Sequence, residues 1–181
     1  MAKPVVFLDR DGVLVKHVQL QLRNLDGFAM EPGAAEAVAR LNKWAHVFVT
    51  TNQRGVGLGW TKGSSVDQIH DAMVAELKKK GARLDGIYQC RHAPFLPCRC
   101  AKPKPGMLEQ AAKDHALLGY DAWMVGDQIK DARAAVAYGA TPILVTTSRS
   151  REELEAQCMK HGIMAAIVPD LAAAVDLMEA A

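Results

Sequence analysis

The chain has 181 residues, half of them apolar and 23% charged, with a formal net charge of +2. That length supports one compact core and is short for two, so a single domain over residues 1–181 is expected. So small a net charge does not imply a nucleic-acid or membrane footprint, though local basic clusters still matter, and no apolar run approaches the roughly 20 residues that span a bilayer.

The N-terminal Met1-Ala2-Lys3-Pro4 leads into the short apolar run Val5-Val6-Phe7-Leu8, which is no signal peptide but reads as a strand buried on both faces of a parallel sheet. It ends at Asp9-Arg10-Asp11-Gly12. From Val13 to Met30 no period is clear, and a loop or short hairpin over the strand ends is expected. Gly33 to Trp44 is helical. Val47-Phe48-Val49 is a second strand, closing on Thr50-Thr51-Asn52, with Gln53 and Arg54 after it. Gly55-Val56-Gly57-Leu58-Gly59 fails the dinucleotide fingerprint, because its third glycine would fall at Trp60, so it reads as a loop. From Ser65 the apolar residues Val66, Ile69, Met73, Val74 and Leu77 recur at helical spacing up to Lys78-Lys79-Lys80-Gly81. Strands at Ile87-Tyr88, Trp123-Met124-Val125, Ile143-Leu144-Val145 and Ala166-Ile167-Val168 alternate with helices from Met107 to Leu117, from Ile129 to Tyr138, after the capping box Ser150-Arg151-Glu152-Glu153, and from Asp170 to Met178. This alternation predicts an α/β fold: a doubly wound, Rossmann-like parallel sheet of about six strands with helices on both faces.

In such a sheet ligands bind outside the carboxyl ends of the strands, and Asp9, Asp127 and Thr50-Thr51-Asn52 all lie at such ends. One aspartate there is commonly a turn or helix cap; three strand-end motifs together point to a phosphate site. A carboxylate with an ordinary pKa near ~4 is ionised at neutral pH, so Asp9 can attack phosphorus without losing a proton first. Asp11, two residues on, can protonate the leaving oxygen and then deprotonate the hydrolytic water. Gly12 permits the sharp turn. Magnesium would bridge Asp9, Asp127 and a phosphate oxygen, while Thr51, Asn52 and Lys102, with Lys104 beside it, supply donors and charge to the phosphate.

Cys90, His92, Cys98 and Cys100 form two close pairs joined by a loop containing Pro94 and Pro97. Three thiolates and an imidazole can wrap one tetrahedral zinc ion in a closed structural site at about residues 90–100. The cluster argues for a metal clip in a reducing, cytoplasmic compartment rather than for disulfides. A fixed loop there positions Lys102. Cys158 reads as core, and His70, His115 and His161 as structural.

Asp9-Arg10-Asp11-Gly12, Thr51-Asn52-Gln53, Lys102 and Gly126-Asp127 through Asp131 resemble, in order, the four motifs of the haloacid dehalogenase superfamily of phosphatases. The resemblance covers essentially the whole chain. It implies that Asp9 is the nucleophile, Asp11 the acid/base, and Thr51 and Lys102 phosphate binders. It further implies that Asp127 binds magnesium with Asp9 and the Asp11 backbone carbonyl, and that Asp131 orients Lys102. Arg10, Thr51, Asn52, Gln53, Arg54 and Lys102 are the expected substrate-binding residues.

The zinc loop and the short gap between the first motifs, leaving a minimal cap, resemble the heptose-bisphosphate phosphatases of lipopolysaccharide precursor synthesis and the related histidinol phosphatases. That implies a small phosphorylated sugar as partner and hydrolysis of a 7-phosphate, with histidinol phosphate or another small sugar phosphate as the alternative. A monomer is expected. A non-enzymatic zinc module is the remote alternative, and 6% aromatics with a +2 charge give it no basic, aromatic surface. Three places depart from the pattern: Ala101 where arginine is usual, Gln128 where lysine is usual, and His17-Val18-Gln19-Leu20 in place of a polar glycine-containing loop. Arg54 is expected to restore some positive charge, with Arg54 or Arg99 gripping a distal anionic group.

Overall fold

A computed structural model describes residues 3–18 and 22–181. The elements, in chain order, are β1 (Val5–Leu8), α1 (Ala34–Leu41), β2 (His46–Asn52), α2 (Gly63–Lys79), β3 (Gly86–Cys90), α3 (Gly106–Asp114), β4 (Ala122–Gly126), α4 (Ile129–Tyr138), β5 (Thr141–Val145), α5 (Arg151–His161), β6 (Ala166–Val168) and α6 (Leu171–Glu179). All the strands pair in parallel, in the order β3-β2-β1-β4-β5-β6. The sheet is therefore doubly wound, and every strand run expected from the sequence is found.

β1 is the axis of the sheet. It registers against β2 on one side (Leu8 opposite Val49) and β4 on the other (Leu8 opposite Val125). Its side chains alternate between two cores, as successive strand residues must. Val6 and Leu8 pack with Val38 and Leu41 of α1, Ile69, Met73 and Leu77 of α2, and Val175 of α6. Val5 and Phe7 pack on the opposite face with Leu108 and Ala111 of α3 and Ala134 and Ala135 of α4. All four β1 side chains are fully buried, and at about 1.5–3 kcal/mol for each large apolar side chain this burial pins the strand that carries Asp9.

Helix boundaries follow local chemistry. Ser150 and Glu153 form the expected capping box on α5, and the Asp170 side chain accepts from the Ala173 N–H to start α6. α3 stops at Asp114, short of the expected Leu117, because the chain turns at Ala116 and the Leu117 N–H bonds back to the Ala112 carbonyl at 2.7 Å. The aperiodic stretch after Gly12 holds a short 3₁₀ turn, Leu25–Gly27, and an antiparallel bridge from Val15 to Met30, the remnant of the expected hairpin. Gln19 and Leu20, part of the departure from the family pattern, lie outside the described residues.

The strand order reverses between β1 and β4. The chain first winds outward through β2 and β3, then returns to the other side of β1. Crossovers leave in opposite directions at that junction and open a crevice at the strand ends. Asp9 follows β1 there and Asp127 follows β4.

Candidate active site

The acidic residues converge in this crevice. Asp9, Asp127 and Asp131 bring carboxylate oxygens within 4.8 Å of one another, and each residue is buried. Lys102, itself fully buried, lies among them, with Nζ 3.0 Å from Asp9 Oδ1, 2.7 Å from Asp131 Oδ1 and 2.6 Å from the Thr50 carbonyl oxygen. Burial alone would depress the lysine, but Asp131 and Asp9 outweigh it and hold its pKa above the ordinary value. Asp131 also accepts from the Gln128 N–H at 3.1 Å. It thus spans the start of α4 and the Lys102 ammonium.

Asp127 is the unbalanced member. Its Oδ2 accepts from Ser148 Oγ at 2.5 Å and lies 3.5 Å from His17 Nδ1, while its Oδ1 is buried without a hydrogen-bond partner among the described residues. Burial, then the charges of Asp9 and Asp131, push its pKa up to about 7. Three buried carboxylates against one buried ammonium leave an excess of two negative charges, which low-dielectric surroundings do not tolerate unpaired. A single divalent cation beside Asp127 Oδ1 would cancel that excess, so the donor set fits magnesium. Gly12, at φ +82°, makes room: a Cβ at that position would meet Asp127 Oδ2 at 2.5 Å.

Asp11 is held from two sides. Arg10 donates to its carboxylate from Nε at 3.1 Å and from Nη2 at 2.9 Å to both oxygens, and Gln53 Nε2 donates to Oδ2 at 3.0 Å and to Thr51 Oγ1 at 2.8 Å. Asp9, Asp11, Thr51 and Asn52 line one cavity of about 180 Å³ with His17, Val18, Gln128 and Lys130. That space suits a phosphate head with the rest of a substrate outside. A far larger depression, about 920 Å³, lies along β5 and β6, walled mainly by apolar side chains such as Ile143, Met164 and Ile167 and away from the carboxylate cluster.

Several residues expected to bind substrate make hydrogen bonds within the protein. Arg10 and Gln53 are fully buried and turn inward to Asp11. Asn52 is locked to the Lys102 backbone, donating from Nδ2 to its carbonyl at 2.9 Å and accepting from its N–H at 3.0 Å. Lys104 donates to the Cys98 carbonyl at 2.5 Å and so ties down the metal loop. Arg54 lines a neighbouring depression of about 340 Å³ with Phe95, Pro97, Lys102 and Lys104, whereas Arg99 lines another, beside Tyr88 and Lys113. The two candidates for a distal anion are therefore not in one place. Sequence reasoning missed Ser148, His17 and Lys130. Ser148 follows the end of β5, so the strand-end rule could have found it; Lys130 brings a cation back to the cavity wall two positions after Gln128.

Cys90, His92, Cys98 and Cys100 form the second cluster, with their ligand atoms all within 4.8 Å of one another. Cys90 Sγ is 3.6 Å from His92 Nδ1 and 3.8 Å from Cys98 Sγ, and His92 Nδ1 is 3.2 Å from Cys100 Sγ. A tetrahedral zinc with ordinary bond lengths places sulfurs about 3.8 Å and sulfur–nitrogen pairs about 3.6 Å apart, so the quartet fits that ion. The loop is bolted to its neighbours. Cys90 ends β3 opposite Asn52, the Gln53 N–H bonds to the Cys90 carbonyl at 2.7 Å, and Arg91 pairs with Asp67 of α2. Gly57 packs so closely on residues 91–93 that a Cβ there would lie 2.6 Å from the Arg91 carbonyl oxygen.

Known proteins agree with this architecture. A family model described as "HAD-hyrolase-like" matches residues 99–174. The D-glycero-beta-D-manno-heptose-1,7-bisphosphate 7-phosphatase of Pseudomonas putida is 36% identical, covering 83% of this chain and 87% of that protein. The D-glycero-alpha-D-manno-heptose-1,7-bisphosphate 7-phosphatase of Mycobacterium bovis is 37% identical over 72% of this chain and 70% of that one. The crystal structure of D,D-heptose 1,7-bisphosphate phosphatase from B. bronchiseptica, complexed with magnesium and phosphate, superposes with a TM-score of 0.88 at 31% identity, covering 98% of this chain and 99% of that one.

Two outcomes test this geometry. Gly57→Ala should force the motif loop and the metal loop apart and lower stability by about 1–3 kcal/mol, read by chemical denaturation. The buried His70, packed against Arg10, has its pKa pushed down to about 4 by burial, then by Arg10 and Arg91, against the opposing pull of Asp67. The unfolded chain therefore takes up that proton first as pH falls, so stability should drop between about pH 6.5 and 4, and His70→Gln should show a shallower loss in thermal melts over that window. At that identity and coverage, the chain belongs to the heptose-1,7-bisphosphate 7-phosphatase family of haloacid dehalogenase-like phosphatases.

Proposed function

We propose that residues 1–181 act as one magnesium-dependent phosphatase unit that removes the 7-phosphate of D-glycero-D-manno-heptose 1,7-bisphosphate through an aspartyl-phosphate on Asp9. The observation that carries this reading is the buried array of Asp9, Lys102, Asp131 and Asp127 at the β1–β4 crevice, in a chain whose relatives carry that activity in their names. Asp9 Oδ1 is held by the Arg10 N–H at 2.7 Å and by Lys102 at 3.0 Å, which leaves Oδ2 as the attacking oxygen. Lys102 holds a fixed positive charge against Asp9, and Thr51, on the cavity wall, brings a hydroxyl to meet a phosphate oxygen. Asp11 protonates the departing sugar oxygen and then takes a proton from the water that opens the aspartyl-phosphate. A magnesium ion held by Asp9, Asp127 and the Asp11 backbone carbonyl would neutralise the charge that otherwise keeps phosphate from the nucleophile.

Zinc on Cys90, His92, Cys98 and Cys100 has a structural part in this scheme. It fixes the chain immediately before Lys102, whose long stem would otherwise be free to leave the pocket. Apparent zinc-site free energies of ~10–16 kcal/mol exceed the ~1–2 kcal/mol of backbone entropy per ordered residue several times over, so one ion can hold the whole loop.

Purified protein with magnesium, tested on both anomers of the heptose bisphosphate, histidinol phosphate and fructose 1,6-bisphosphate, should release phosphate fastest from a heptose bisphosphate. Asp9→Asn should lower that rate by on the order of 10⁴-fold or more; preference for histidinol phosphate would reassign the substrate, and an active Asp9→Asn would remove the nucleophile. Cys90→Ser should lose zinc by metal analysis and lower kcat/KM by on the order of tenfold or more, through displacement of Lys102.

A further inference from the structure

Arg10 lies between the two aspartates of the first motif and heads the fully buried side chains among the described residues by volume. A guanidinium is costly to bury unless its charge and its donors are met. Here they are met inside the protein. Nε and Nη2 grip the Asp11 carboxylate as a fork, and Nη1 lies 3.2 Å from Nε2 of His70. His70 comes from the buried face of α2, between Ile69 and Met73. A guanidinium has no lone pair to offer, so Nε2 accepts from Nη1 and Nδ1 carries the imidazole hydrogen. The depressed basicity of His70 keeps the ring neutral at physiological pH, the form that can accept.

The arrangement answers a mechanical problem. Asp9 is fixed by strand β1, but Asp11 lies beyond the strand end, in a turn closed by hydrogen bonds from Val13, Leu14 and Val15 to the Arg10 carbonyl, which hold its backbone and leave its carboxylate to be set by side chains. Proton transfer needs its carboxylate within hydrogen-bond reach and correctly turned toward the leaving oxygen. A bidentate fork sets the plane of a carboxylate as well as its position, which a single ammonium cannot do. Gln53 adds a third donor, to Oδ2. His70 in turn keeps Arg10 from swinging, and α2 is moored one turn earlier by the Asp67–Arg91 pair, beside the ligands Cys90 and His92. The hold on Asp11 is thereby linked to the metal loop.

We propose that Arg10 and His70 are positioning residues that hold the Asp11 carboxylate for proton transfer, and that Arg10 does not contact substrate. This rests on Asp11 being the acid/base of the proposed reaction. The test compares wild type with His70→Leu, His70→Gln and Arg10→Lys on the heptose bisphosphate and on p-nitrophenyl phosphate, whose leaving group departs as a stable anion without a proton. His70→Leu and Arg10→Lys should lower kcat on the sugar phosphate by on the order of tenfold with KM within about twofold, while the first-turnover burst of nitrophenolate keeps its wild-type rate. His70→Gln, which retains an acceptor, should recover kcat to within about threefold of wild type. Arg10→Lys gives the same signature by a second route if the leucine variant does not fold. A raised KM with unchanged kcat in Arg10→Lys, equal losses on both substrates, a glutamine variant as slow as the leucine one, or a fully active His70→Leu would each overturn the proposal. None of these touches the acid/base assignment itself, which falls only if Asp11→Asn keeps wild-type turnover on the sugar phosphate.

Discussion

The organising constraint of this protein is the burial of three carboxylates around one lysine at the point where the sheet changes direction. Asp9, Asp127 and Asp131 are each at most 4% exposed, and Lys102 is only 2% exposed. Charges of one sign placed that closely in a low-dielectric crevice repel strongly, and isolated groups would hold protons instead. Asp127 shows the strain most, with its pKa displaced to about 7 and one oxygen unpartnered. The stability given up there is what makes the crevice receptive to a divalent cation. Catalytic pockets commonly carry such an unbalanced charge, because the bound state supplies the missing partner.

Holding that arrangement requires rigid supports from every side, and the chain provides them through two kinds of contact. Strands fix Asp9 and Asp127 through the fully buried β1 and its parallel pairing with β4. Loop residues have no such ladder, so side-chain pairs replace it. Asn52 clamps the Lys102 backbone on both its N–H and its carbonyl. The cysteine–histidine cluster, docked on Gly57 and on the end of β3, determines where the chain arrives before Lys102. The cysteine–histidine loop and the carboxylate crevice form one mechanical unit although their side-chain clusters are separate.

The pocket itself is small, about 180 Å³. With so little enclosed volume, the cavity admits only a small group past His17, Val18, Gln128 and Lys130, and the Arg54 depression against the cysteine–histidine loop lies beyond it. Lys130 is notable here. A cation two positions after Gln128 on the first turn of α4 reaches the same wall, so the loss of a lysine directly after Asp127 does not leave that wall without positive charge.

The primary structure alone determined the strand–helix alternation, the strand-end aspartates and the cysteine–histidine quartet. Each is a local signal: apolar runs of strand length, acids immediately after them, and ligands a few residues apart. Helix ends were read where a capping side chain marked them, as at Ser150 and Asp170, and misread at α3, where a backbone turn at Ala116 ends the helix instead. Tertiary structure decided which polar groups line the cavity and which face each other. Arg10 and Asn52 look alike in sequence as donors near a phosphate, yet Arg10 is buried against Asp11 and His70, while Asn52 stays at the cavity wall with its amide bonded to the Lys102 backbone. His70 is 60 positions from Arg10, and Ser148 is 21 from Asp127, so no window along the chain could join them. Side-chain partners at such separations are set by how crossovers return the chain to the crevice, and that depends on packing of the whole sheet rather than on any segment of it.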